Sequence, residues 1–231
     1  MYKLKYVGLF LVIIIFGILF IPRILNRIND QTIVESNRSQ SPGTLQYIVL
    51  NGKAKKVPDF AFLNQDSLLI SNEDFSNKVY VAEFFFTSCP TICPIMNKNM
   101  KRIEDQFGSR SDFGIASFSV DPDHDTPSVL KAYAESYKVF SHNWHFLTGE
   151  KDNIYSLANK GFNIFASVNP RAAGGFEHQG YFALIDKKGH IRSRSDQFGN
   201  PIVYYMGIDQ DDVDIQEVDL LIADIEKLLK E

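Results

Sequence analysis

From Gln46 onward, short apolar runs alternate with segments of helical period. Tyr47-Ile48-Val49-Leu50 and Phe60-Ala61-Phe62-Leu63 are short strand candidates, separated by Asn51-Gly52 and the segment up to Pro58. Val79 to Phe86 is rich in β-branched and aromatic residues and predicts a buried central strand. A helix is expected from about Pro94 to Phe107, where Ile95, Met96, Asn99, Met100 and Ile103 approximate one face. Phe113 to Val120 and Trp144 to Leu147 predict two further strands. Between them a helix starts at Thr126-Pro127, a capping hydroxyl followed by proline at the first helical position. Asp152 to Lys160 predicts a short helix. Tyr181 to Ile185 and His190 to Arg194 flank Asp186-Lys187-Lys188-Gly189 as an antiparallel hairpin. A last helix is expected from about Asp214 to Leu229, apolar at Val218, Leu221, Ile222, Ile225 and Leu229. Strands alternating with helices, then a hairpin and a closing helix, describe an α/β domain with a mixed central sheet and additional N-terminal strands.

The first 45 residues break this pattern. Tyr6 to Ile21 is apolar apart from glycine, with Lys3 and Lys5 before it and Arg23 and Arg27 after. Such a run lies near the lower limit for spanning a bilayer, about 17–25 residues. A cleaved secretory signal shares the charged start and apolar core, but ends in small residues. Here Phe16-Gly17-Ile18-Leu19-Phe20-Ile21-Pro22 is mostly bulky, so residues 1–28 are expected to form one transmembrane helix, an uncleaved N-terminal membrane anchor. Two basic residues on each side leave the positive-inside rule tied. No Arg- and Ser-rich amphipathic stretch precedes the run, which favours a bacterial membrane protein over a mitochondrial presequence. Residues 29–45 are polar and are expected to be a flexible tether, leaving 46–231 as the folded domain.

Setting Lys3, Lys5, Arg23 and Arg27 aside from the net charge of −4 leaves the remainder at about −8. An acidic chain with no basic block is not expected to bind nucleic acid. Two cysteines cannot build a stabilising disulfide framework.

Those two cysteines carry the chemistry. Cys89 and Cys93 stand in Thr87-Ser88-Cys89-Pro90-Thr91-Ile92-Cys93-Pro94, directly after the predicted central strand. The carboxyl ends of strands are where open α/β sheets usually carry their sites. Each cysteine precedes proline, which biases it away from helical angles, so Cys93 is expected at the cap of a helix beginning at Pro94. The partial positive charge of a helix start favours a thiolate there. Thiolate is both nucleophile and metal ligand, and this feature alone does not choose. A relaxed disulfide needs β-carbons about 3.5–4.5 Å apart, whereas side chains one helical turn apart lie about 5–6 Å apart. The spacing mildly favours a metal and leaves redox chemistry open. Closed zinc sites want four ligands, and there is no second cysteine pair. Two soft thiolates suit Cu(I), and adding an imidazole suits Cu(II). His178, in the glycine-rich stretch Ala172 to Gly180 before the strand at Tyr181, is the candidate imidazole.

The order of elements is that of a thioredoxin-like fold, although no proline lies between Pro170 and Pro201 to serve as its usual cis-proline. Three motifs then occur in order: Phe85-Phe86-Thr87-Ser88-Cys89-Pro90-Thr91-Ile92-Cys93-Pro94, Ser119-Val120-Asp121-Pro122-Asp123-His124-Asp125-Thr126-Pro127, and the later His178. From about Val57 to the C-terminus the chain resembles the Sco/SenC family, membrane-anchored thioredoxin-like proteins that carry copper for assembly of cytochrome c oxidase. The resemblance implies copper, as Cu(I) or Cu(II), on Cys89, Cys93 and His178. It further implies metallochaperone activity rather than enzymatic turnover, with delivery to the dinuclear copper site of oxidase subunit II and another copper chaperone as a possible donor. It places the C-terminal domain in the periplasm, with the chain in a single-pass arrangement at the bacterial cytoplasmic membrane. Around His178, Glu-His-Gln-Gly departs from the family's more usual His-Ser. The competing function is a thiol–disulfide oxidoreductase that reduces the cysteines of the oxidase site, using Cys89 and Cys93 without His178. A third is peroxidase chemistry on one cysteine of low pKa.

Other candidates read as structural. Asp121-x-Asp123-x-Asp125 is reminiscent of a calcium loop, but Thr126 and Ala132 stand where such a loop needs glycine and glutamate. A turn and helix cap is expected there, with Asp121 placed to shape the site. His142 and His145, flanking Trp144, are expected in packing or surface roles. The Phe84-Phe85-Phe86 run is core, and the acidic run Asp209 to Asp214 is expected to open the last helix.

Overall fold

The computed structural model describes residues 45–196, 199–211 and 213–231, together with Phe10, Ile14 and 16–22. Short strands open the domain: β1 (Gln46–Tyr47), β2 (Val49–Leu50), β3 (Lys53–Ala54), β4 (Ala61–Leu63) and β5 (Leu69–Ser71). The central elements follow as β6 (Val79–Phe85), α1 (Cys93–Phe107), β7 (Phe113–Ser119), α2 (Pro127–Ser136), β8 (Trp144–Leu147) and α3 (Lys151–Ser156). Then come β9 (Ala166–Val168), β10 (Phe176–His178), β11 (Tyr181–Ile185), β12 (Ile191–Ser193), β13 (Tyr205–Met206) and α4 (Glu217–Lys230).

The main sheet runs β1-β12-β11-β6-β7-β8, with β13 beside β11. β6, β7 and β8 are parallel, whereas β11 is antiparallel to β6 and pairs Ala183 with Ala82. That reversal puts the start of β11 against the end of β6, so whatever precedes Tyr181 faces whatever follows Phe85. Every residue of β6 and β7 is buried, as a near-continuous apolar run in a parallel pair requires. Phe84, Phe85 and Phe86 are all core. α1 buries Met96, Met100 and Ile103 and lies beside α4, tied by Arg102 to Asp219 (2.6 Å) and Gln106 to Glu226 (2.8 Å).

Several expectations need correction. Among the described residues no helix is long and apolar enough to cross a membrane, which overturns the expected transmembrane helix. The rest of the 1–28 segment and residues 29–44 of the expected tether lie outside the described residues. Leu45, assigned to the tether, is buried in the core.

The last helix begins at Glu217, not Asp214. Gln216 and Asp219 form its capping box, and the described residues of the acidic run before it, 209–211 and 213–214, are loop. Thr126 occupies the N-cap of α2, but its hydroxyl pairs with Ser128 Oγ instead of capping the backbone. The helix expected over 152–160 is α-helical only to Ser156 and continues as a π-helical turn over Leu157–Phe162. His145 is half-buried against Asn64 (3.2 Å) and His142 is exposed.

Candidate metal centre

Cys89 sits in the loop leaving β6, and its amide donates back to Phe86 O (3.3 Å). Cys93 falls in the first turn of α1 itself. Proline is tolerated there because the first turn has no intrahelical acceptor for its missing N–H, so the helix starts one residue earlier than expected. His178 is the last residue of β10, which pairs with β9 in a two-stranded ribbon of register His178 to Ala166. The sequence reads as a glycine-rich loop over Ala172 to Gly180, because three-residue strands carry too little pattern to register. Gly174 has φ 80°, and a β-carbon there would lie 2.7 Å from Phe86 Cε2, so only glycine lets the turn settle on the Phe86 ring. Phe86 also meets the rings of Phe176 and His178 edge-on or tilted, at centroid distances of 5.2 and 5.7 Å.

The structure brings all three predicted site residues together. The two Sγ atoms and a ring nitrogen of His178 lie within 4.8 Å of one another, and Cys93 Sγ is 3.2 Å from His178 Nε2. Donors each about 2.3 Å from a common ion can stand no farther apart than about twice that, so the three are spaced for one ion. His178 Nδ1 lies 3.3 Å from Gln179 O. A ring whose Nδ1–H donates to a carbonyl presents Nε2 as the free lone pair, the usual arrangement behind a ligating histidine. Cys89 and His178 open into a cleft of about 160 Å³ lined also by Phe86, Ile92, Ala172 and Phe176, with Cys93 buried behind them. Both cysteines are free thiols.

The two sulfurs are unequal. The Cys89 thiol is driven far below its ordinary range, chiefly because Cys93 hydrogen-bonds to it; burial opposes this and a bond from His178 assists. Cys93 is pushed far up by the same hydrogen bond, by burial and by the negative charge of Cys89. The expected thiolate at the helix start is therefore on Cys89 instead. Cys93 is fully buried, and its bond to Cys89 together with desolvation keeps its own proton in place.

Two neighbouring groups escaped the sequence reading. Glu83 lies fully buried in β6, accepting from Ser117 Oγ (2.7 Å), which in turn accepts from Trp144 Nε1 (3.0 Å). Its Oε2 has no partner, and burial pushes its pKa up to about 7, the Ser117 bond only partly offsetting. A charge inside a strand buried on both faces was the available signal. Asp125 is the second group: it caps no helix and bonds instead to Thr87, Ser119 and His124. Contacts across 38 residues leave no local trace in a sequence.

A dithiol and one imidazole converging at the carboxyl end of a thioredoxin-like sheet define a thiol protein equipped to ligate a soft metal ion. The chain belongs to the SCO1/SenC family, matching it over residues 49–210. It is similar to the SCO1 protein homolog of Bacillus subtilis (strain 168), with 36% identity over 138 residues, which span 59% of this chain and 71% of that one. Among solved structures, a SCO1/SenC family lipoprotein from Bacillus anthracis aligns with TM-score 0.65 and 28% identity over 81% of this chain and 99% of the other. BsSco, described as a Sco-family cytochrome c oxidase assembly protein with a disulfide switch, aligns with TM-score 0.62 and 29% identity over 82% and 98%.

Proposed function

We propose that this protein is a copper carrier for cytochrome c oxidase assembly, in which Cys89, Cys93 and His178 hold the ion as cargo. The observation that carries this reading is the spacing of the three donors within 4.8 Å, with Nε2 of His178 turned toward Cys93. Two thiolates and one imidazole, with no carboxylate among them, suit copper in either oxidation state and offer nothing to hard cations. Ligand exchange at the cleft passes the copper to the dinuclear site of oxidase subunit II, and a separate copper chaperone supplies it. The domain works outside the cytoplasm at a bacterial membrane. Its likeness to the Bacillus anthracis lipoprotein and to an oxidase assembly protein supports both assignments.

Copper titration of the full chain tests the reading. Wild type binds one copper per chain with absorption in the thiolate-to-Cu(II) charge-transfer region. Cys89→Ala with Cys93→Ala abolishes stoichiometric binding, and His178→Ala mainly damages the Cu(II) form. Full copper retention by the double cysteine variant overturns the reading.

The strongly acidified Cys89 thiol favours a second reading, thiol–disulfide exchange. Cys89 attacks a disulfide of the oxidase site to give a mixed disulfide. Cys93 then displaces it, leaving the substrate as two thiols and this protein as a Cys89–Cys93 disulfide. Turnover of a disulfide substrate by metal-free protein, undiminished in His178→Ala, selects this function over the first.

A further inference from the structure

The Asp121–Asp125 turn is neither a calcium loop nor a helix cap, and what its last carboxylate does bears directly on the cysteines. Asp125 is fully buried, with both oxygens engaged. Oδ2 accepts from the Thr87 amide (3.0 Å) and from Ser119 Oγ. Oδ1 accepts from Thr87 Oγ1 and lies 2.9 Å from His124 Nδ1. Thr87 begins the loop that carries Cys89. Ser119 ends β7, the strand paired with β6 at Phe85, and the next residue donates from Val120 N to Phe85 O (2.8 Å). The turn is itself braced, by Asp121 N on Ser119 Oγ (3.1 Å) and Asp125 N on Asp121 O (2.8 Å). One carboxylate thus ties the cysteine loop to the ends of the two central strands. Its bonds to the loop are side chain to backbone and side chain to hydroxyl. No strand ladder continues past Phe85 to hold the loop otherwise.

We propose that Asp125 is a positioning residue for metal binding: by clamping Thr87 through its amide and hydroxyl, it sets the height of Cys89 over Cys93 and His178. This rests on the copper reading above for its consequence, but the clamp has a readout of its own. A buried carboxylate accepting from four donors has no neutral substitute. Asn offers one acceptor oxygen and turns an NH₂ toward donors it cannot pair with. The side chain stays the same size, so the fold keeps its shape while the loop loses its anchor.

The test uses the full chain and copper ions alone. In metal-free protein, Asp125→Asn accelerates hydrogen exchange at the Thr87 amide roughly tenfold. In Cu(I) competition titrations it weakens affinity about 10–100-fold, and the Cu(II) charge-transfer band shifts or broadens as the Cys89 sulfur loses its fixed place. Thr87→Val, which keeps the shape and removes the hydroxyl, moves both readouts in the same direction by less, and Thr87→Ser restores wild-type values. The Thr87 pair keeps the test intact if Asp125→Asn does not fold. Wild-type copper affinity and band in Asp125→Asn, with or without a lowered melting temperature, overturn the proposal. So does a Thr87→Val variant indistinguishable from Thr87→Ser. Failure of wild type itself to bind copper defeats the copper reading instead, and unchanged Thr87 exchange in the variant then defeats the clamp separately.

Discussion

The two sides of the donor cluster are built to different standards. Cys93 lies in the first turn of a helix whose inward residues Met96, Met100 and Ile103 are completely buried, and Cys89 hangs from a loop held by Asp125. His178 sits on a two-stranded ribbon outside the main sheet, turned through two glycines of positive φ and flanked by Phe165 and Val168, about half exposed (47% and 52%). Isolated two-stranded ribbons are marginal on their own. This one is held by the Phe86 ring, by Asn159 bridging both backbone groups of Ala166 (2.9 and 3.1 Å), and by Gln179 Oε1 on Phe165 N (2.9 Å). The sulfur side belongs to the core and the imidazole side is an attachment to it.

The largest test of the contrast is amide hydrogen exchange in metal-free protein. Amides of β6 and of Met100–Phe107 are expected to outlast those of 173–180 by at least about a thousandfold, as core elements outlast locally opening ones. Equal protection would erase the distinction.

Next in size is the pH dependence created by Glu83 beneath the cysteine side. Its carboxyl titrates near 7 in the folded protein and near 4.5 when unfolded. The folded state therefore holds a proton that the unfolded state releases. The associated stability is complete below about pH 4.5 and is lost as pH rises through about 7, a change on the order of 3 kcal/mol. Denaturant titrations of wild type and Glu83→Gln should diverge across that window, with wild type losing ground as pH rises. Parallel curves would mean that Glu83 is solvated.

A smaller effect is expected at the hinge of the ribbon. Gly174→Ala forces a β-carbon into Phe86 at a left-handed backbone position. The cost is about 1–3 kcal/mol, and His178 is displaced, visible as a weakened Cu(II) band with thiolate ligation retained. An unchanged band would uncouple the turn from the imidazole. Smallest is Phe165→Ser, on the exposed edge of the ribbon, expected within about 0.5 kcal/mol of wild type by thermal unfolding.

The same asymmetry divides what could be read in advance. The strand 79–85 and helix 93–107 are long enough for their periods to register, and the two cysteines stand out at their junction. The strands of the His178 ribbon have three residues each, and the π-helical turn over Leu157–Phe162 follows a helix without a break in composition. The amphipathic signature near Asp214 misled because acidic residues suit a helix start, whereas the box that starts α4 is formed by Gln216 and Asp219. The N-terminal apolar run satisfied a composition rule for spanning a bilayer, whereas among the described residues no helix is long and apolar enough to cross one.

From residue order alone came the α/β class, the mixed sheet, the strand–loop–helix junction bearing Cys89 and Cys93, and His178 as the candidate imidazole. These depend on local periodicity, on steric limits at proline and on the chemistry of a few side chains. Tertiary structure alone decided which sulfur is the thiolate, that Glu83 is a buried acid, and that Asp125 holds the loop instead of a helix. Each of those depends on desolvation and on partners far away along the chain, and neither quantity exists until the sheet has closed around them.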